Sequence, residues 1–118
     1  MMNEVRPITV KDSDTGFEYT LEFNRESVQF AEMRGFKMQD VSDYPMTKVP
    51  ELWFYAFRMH HKNLSRQKTD ALLNGLGGVP AVMNHPTLLG RLGELYAEPF
   101  LSMSDEQAEE NPRVTVEL

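Results

Sequence analysis

Between Gly16 and Phe23 the chain alternates strictly, with Phe17, Tyr19, Leu21 and Phe23 set against Gly16, Glu18, Thr20 and Glu22. A period of two predicts a strand with one buried face. Upstream, Ile8 and Val10 alternate with Pro7, Thr9 and Lys11, and the run from Asp12 to Gly16 between the two is rich in turn formers. The pair reads as a β-hairpin with its first strand placed at an edge by Pro7. A hairpin alone is marginal in water, so its aromatic face must rest on something.

Helical patterning follows. Asn24 is a good N-cap for a helix from about Arg25 to Arg34, stopped by Gly35, with Phe36 able to fold back on the last turn. Residues 37–47 carry Asp40, Ser42, Asp43 and Pro45 and read as a connector with one short helical turn. A second helix is expected from about Thr47 to His61, with Pro50 in its first turn. Its centre, Leu52-Trp53-Phe54-Tyr55-Ala56-Phe57, is apolar around the full circumference, which is unusual for a surface helix. Ser65 caps a third helix through Leu72 and Leu73 that stops at Gly75 to Gly78, and after Val79 to Met83 either Asn84 or His85 caps a fourth, with Pro86 in its first turn. Leu88, Leu89, Leu92, Leu95, Tyr96, Phe100 and Met103 form its apolar stripe, and Pro99 predicts a kink or an early end. The fold class is therefore α+β, mainly α: an N-terminal β-hairpin on a bundle of about four helices, forming one domain over residues 1–103. Residues 104–118 read as an acidic tail, either loose or, where Val114, Val116 and Leu118 alternate, a strand waiting for a partner.

Composition narrows the classes. At 118 residues and 41% hydrophobic the chain suits a single globular domain with a real core. Zero cysteines remove disulfides, thiol nucleophiles and thiolate metal sites. No apolar run reaches the length of a membrane span and the start lacks a signal-peptide layout, so a cytoplasmic protein with no membrane partner is expected. A net charge of −6 argues against general nucleic-acid affinity. The charge is unevenly spread: residues 52–69 hold Arg58, Lys62, Arg66 and Lys68 and no acid, whereas residues 104–118 hold five acids and only Arg113. Such segments attract one another, within or between chains, unless each is merely a solvated surface.

Three features resemble chemistry without its partners. His60 and His61 point about 100° apart on a helix and are poorly placed to share a metal. Gly75-Leu76-Gly77-Gly78 closes a helix rather than opening one, so it reads as a cap and not as a phosphate loop. Glu94 and Glu98 share a helical face but have no nearby nucleophile or second ligand pair. No catalytic, metal or cofactor site is expected, and the chain reads as a non-enzyme. The aromatic run with its basic flank remains. Burial inside the monomer accounts for it in one reading; in the other, Trp53, Phe54 and Phe57 with Arg58 and Lys62 also meet a second protein.

The stretch Phe17-Glu18-Tyr19-Thr20-Leu21-Glu22-Phe23-Asn24-Arg25, continuing through Phe30-Ala31-Glu32, Gly35-Phe36, Pro45 to Pro50, and Tyr55-Ala56-Phe57-Arg58 with His61, Lys62 and Asn63, resembles the small tail assembly chaperones of long-tailed siphophages and related prophages. The likeness continues through residues 65–73 and Leu92-Gly93-Glu94-Leu95-Tyr96, covering roughly residues 17–101, and the ending from Asn111 to Leu118 is similar to some members. The resemblance implies a factor of the host bacterial cytoplasm, absent from the mature virion. Such a factor coats the tape measure protein and helps tail tube protein polymerise around it. A coat needs neighbour contacts, so self-association fits the role. The competing expectation is a small phage-encoded regulatory or adaptor protein that binds a host factor or DNA through the basic segment from Arg58 to Lys68.

Overall fold

A computed structural model describes residues 6–109, with side chains described as far as residue 101. The chain is α+β and mainly α, and the described residues form a two-stranded antiparallel hairpin followed by five α-helices. Strand β1, Ile8–Lys11, pairs with β2, Glu18–Leu21, in a register that sets Ile8 against Leu21 and Val10 against Tyr19. Gly16 takes a positive φ in the connecting turn. Tyr19, Leu21 and Phe23 are buried, as the alternation requires, whereas Phe17 lies before β2 and is exposed.

Helix α1, Arg25–Met33, opens on a reciprocal capping box: the Ser27 amide donates to Asn24 Oδ1 at 2.9 Å and the Asn24 amide donates to Ser27 Oγ at 2.9 Å. Gly35 turns with φ +87° and the Phe36 amide donates back to the Ala31 carbonyl, which tucks the Phe36 ring between Tyr55 and Tyr96. One 3-10 turn, Met38–Asp40, stands in the connector.

Helix α2, Pro45–Phe57, begins two residues earlier than the sequence suggests, with Pro45 as its first residue, so Pro50 lies inside it. It also ends before His61. Helix α3 is Arg66–Leu76, with Ser65 Oγ accepting from the Lys68 amide. A helix not foreseen, α4, Gly78–Asn84, occupies the stretch read as a link. Pro80 is accommodated because first-turn amides have no partner inside a helix. Helix α5, Leu88–Glu109, is capped by His85, whose Nδ1 accepts from the Thr87 and Leu88 amides, and Pro86 sits in the turn before it. It runs on past Pro99, so no early end occurs there. Residues 104–109 continue this helix; the rest of the expected tail, with the alternation at Val114 to Leu118, lies outside the described residues.

The core gathers around α2, which is packed against α1, α3, α4, α5, β2 and the 3-10 turn. A helix with neighbours around most of its circumference must be apolar on most faces, and that is the physical reason for the run from Leu52 to Phe57, of which only Phe54 is half-buried. Among the described residues no buried side-chain polar atom lacks a hydrogen-bond partner.

Candidate interaction surface

The residues expected to meet a partner divide sharply by position. Trp53 and Phe57 are each 1% exposed, and the Trp53 indole N–H donates to the Thr69 carbonyl at 2.9 Å, tying α2 to α3. Their rings meet edge to face at 5.3 Å, and Phe57 meets Tyr19 of the hairpin in the same way. Both are core residues within the chain, covered almost entirely by the neighbours of α2, which is the burial reading of the aromatic run. Phe54 is half-buried, with the Arg66 guanidinium 6.0 Å from its ring centre.

Arg58 is engaged within the chain. Its Nη2 donates to Glu26 Oε2 at 2.8 Å and its guanidinium lies 3.6 Å from the centre of the Phe30 ring, which Arg34 also approaches at 4.4 Å. The Arg58 hydrogen bond holds the Glu26 carboxyl below its ordinary value. Lys62 is exposed. Arg66 pairs with Asp70 at 2.9 Å one helical turn on.

The histidines serve the hairpin. His61 Nε2 accepts the Thr20 amide at 3.0 Å, and its ring lies against Phe17 and Tyr19. Burial first, and the neighbouring His60 second, lower its pKa from the usual 6.5. His60 Nε2 lies 2.7 Å from Glu22 Oε1. No group of three or more acidic or histidine side chains among the described residues is placed to hold a metal ion. Gly77 and Gly78, both at positive φ, form the corner between α3 and α4.

Large apolar side chains do face solvent, at positions the aromatic run did not mark. Met33 is 83% and Met46 70% exposed, and Tyr44, Phe100, Leu101 and Phe17 are exposed as well. Phe100 stands at the lip of a cleft of about 410 Å³ between the end of α1, the 3-10 turn and α5, with Phe36, Met38 and Tyr96 in its wall. Burial, with Glu32 and Tyr55 nearby, pushes the Tyr96 hydroxyl up to about 12, so it remains a neutral donor. Sequence reasoning missed this surface because isolated methionines carry no periodic signal.

No helix among the described residues is long and apolar enough to cross a membrane. No curated protein matches the chain significantly, and no solved structure does. Residues 1–118 match a family described as a domain of unknown function, DUF5055, and the chain belongs to that family.

Proposed function

We propose that the chain is a non-catalytic chaperone of bacteriophage tail assembly that holds apolar helical stretches of the tape measure protein while tail tube protein polymerises. It acts in the host cytoplasm and is left out of the virion. The observation that carries this reading is the set of exposed, unbranched methionines, led by Met33 and Met46, together with an aromatic-walled cleft that has Phe100 at its edge. Methionine is flexible and polarizable and adapts to many apolar shapes, which suits a surface that must hold varied helical stripes reversibly. Repeated modest contacts along one long chain then add by avidity. The resemblance over residues 17–101 supplies the identity of the client.

The adaptor reading draws less support. Of the four cations between Arg58 and Lys68, Arg58 and Arg66 are already paired with Glu26 and Asp70, which leaves little free charge for phosphates. The test is co-expression with a siphophage tape measure protein, followed by co-purification of wild type and of a Met33→Gln, Met46→Gln, Phe100→Gln triple variant. Retention by wild type and loss in a variant with an unchanged melting temperature supports the proposal. Absence of any complex with wild type refutes it.

A further inference from the structure

The two edges of the hairpin are treated differently. On the β2 side two outward amides are occupied, Thr20 N–H by His61 Nε2 and, just past the strand, Glu22 N–H by the Ala56 carbonyl at 3.0 Å. In an antiparallel ladder, bonded and non-bonded pairs alternate. The Asp12 amide bonds to the Phe17 carbonyl, so Val10 with Tyr19 and Ile8 with Leu21 are bonded pairs, while Thr9 and Lys11 turn their N–H and C=O groups outward. The strand's outward groups begin with the Pro7 carbonyl, which Arg91 Nη2 takes at 3.2 Å together with the Arg6 carbonyl. Among the described residues nothing takes those of Thr9 and Lys11. An open edge of this kind is a template for another strand unless it is blocked.

The edge is not blocked but grooved. A hollow of about 320 Å³ runs along β1, walled by Leu76, His85, Leu88 and Arg91 with Trp53 in its floor, and it continues between Lys11 and the Lys68 to Leu76 face of α3. The flanks present Leu72, Leu76 and Leu88 among polar groups, and the charges in reach are Lys11, Lys68 and Arg91 along the strand, with Asp12 and Asp14 at the turn.

We propose that this edge accepts the C-terminal segment of a second copy of the chain, Arg113-Val114-Thr115-Val116-Glu117-Leu118, as a third, antiparallel strand. The segment has the alternation a strand needs, with Val116 and Leu118 able to face Val10 and Ile8 in the groove. Charge selects the direction: antiparallel pairing sets Arg113 beside Asp12 and Asp14 and Glu117 toward Lys11 and Arg91, whereas parallel pairing sets Arg113 against Arg91. Reach favours a second copy over the chain's own tail. Glu109 stands ~27 Å along α5 from Arg91 at 1.5 Å per residue, and antiparallel pairing brings Thr115 in at the Lys11 end, away from Arg91. Six residues from Glu109 to Thr115 span only ~20 Å. Such a contact is head-to-tail and can extend from copy to copy.

The experiment uses the purified chain without any partner, so it is independent of the tape measure reading and its failure leaves that reading intact. Sedimentation is measured over a wide concentration range for the full chain, for a chain lacking residues 113–118, and for Thr9→Pro. The last removes one outward N–H, which an edge strand tolerates. A synthetic peptide of residues 111–118 is then added to the shortened chain, with amide exchange followed at Thr9 and Lys11. Reversible association of the full chain, its loss in both variants at unchanged melting temperature, and protection of the Thr9 and Lys11 amides by the peptide are expected. A full chain that stays monomeric, association that survives removal of residues 113–118, or a peptide that leaves those amides unprotected overturns the proposal. The deletion and the peptide do not touch β1, so they decide the matter even if Thr9→Pro fails to fold.

Discussion

The imidazole of His61 closes the outer edge of β2 by accepting the Thr20 amide at Nε2. That bond exists only while Nε2 is unprotonated. Because burial lowers the His61 pKa in the folded chain, the unfolded chain takes up this proton more readily. Stability from this residue is therefore complete above the ordinary value of 6.5 and declines as pH falls from there through the lowered folded value. The melting temperature of wild type is expected to fall on acidification below neutrality, and His61→Gln, which keeps an acceptor but does not titrate, should flatten that dependence. His61→Leu leaves the Thr20 amide unsatisfied, at a cost of about 1–3 kcal/mol even at pH ~8. Identical pH profiles for wild type and His61→Gln would remove His61 from this role.

Trp53 joins two helices through one hydrogen bond and a large buried ring. Trp53→Phe keeps much of the ring but gives up the bond to the Thr69 carbonyl, which keeps its helical partner in α3, and about 0.5–1.5 kcal/mol of stability should be lost. Trp53→Ala adds a cavity and should cost about 3–5 kcal/mol. Chemical denaturation with unchanged m-value checks both. A stable Trp53→Ala chain that had lost only partner binding would contradict the packing.

These two cases show what the residues reveal in order and what they reveal only once folded. The hairpin, the Asn24 cap and the turn at Gly35 were legible because each is a local arrangement, settled by neighbours within a few residues. The enclosure of Trp53 and Phe57 was not, because it depends on how many elements surround α2, and six consecutive apolar residues suit both a buried helix and a sticky one. Helix α4 was hidden by its own punctuation: Gly77, Gly78 and Pro80 each signal a break, yet here the glycines make the corner and the proline falls in a first turn. At His61 the sequence suggests only a helix end, since nothing nearby in it points to Thr20.

Gly77 tests the corner directly. Its φ of +127° is unfavourable for any side chain, and a Cβ there would lie 2.9 Å from the Cβ of Ala81. At Gly35 the φ of +87° is also positive, but a Cβ would meet nothing within 4 Å. Gly35→Ala should cost about 1–2 kcal/mol from backbone strain alone. Gly77→Ala should cost more, because α3 and α4 must shift as well. Thermal melts of the pair check the order, and equal losses would mean that the contact with Ala81 relaxes freely.

Arg58 and Lys62 stand four residues apart, and of the two Arg58 makes the hydrogen-bonded ion pair and the ring contact, whereas Lys62 acts on Glu26 only through its charge. Arg58 lies over Phe30 and grips Glu26 through two nitrogens, so Arg58→Lys, which keeps the charge but loses the planar fork, should still destabilise by about 1 kcal/mol. Raising the salt concentration should shrink this loss only in part, since screening weakens the exposed ion pair more than the ring contact. Lys62 is exposed, so Lys62→Ala should change stability by less than about 0.5 kcal/mol. If both chains are then compared for client binding, any effect of Lys62→Ala is a surface effect, whereas an effect of Arg58→Lys must first be corrected for its loss of fold. Melts at low and high salt separate the two residues, and equal stability of both variants would mean that the Phe30 contact contributes nothing.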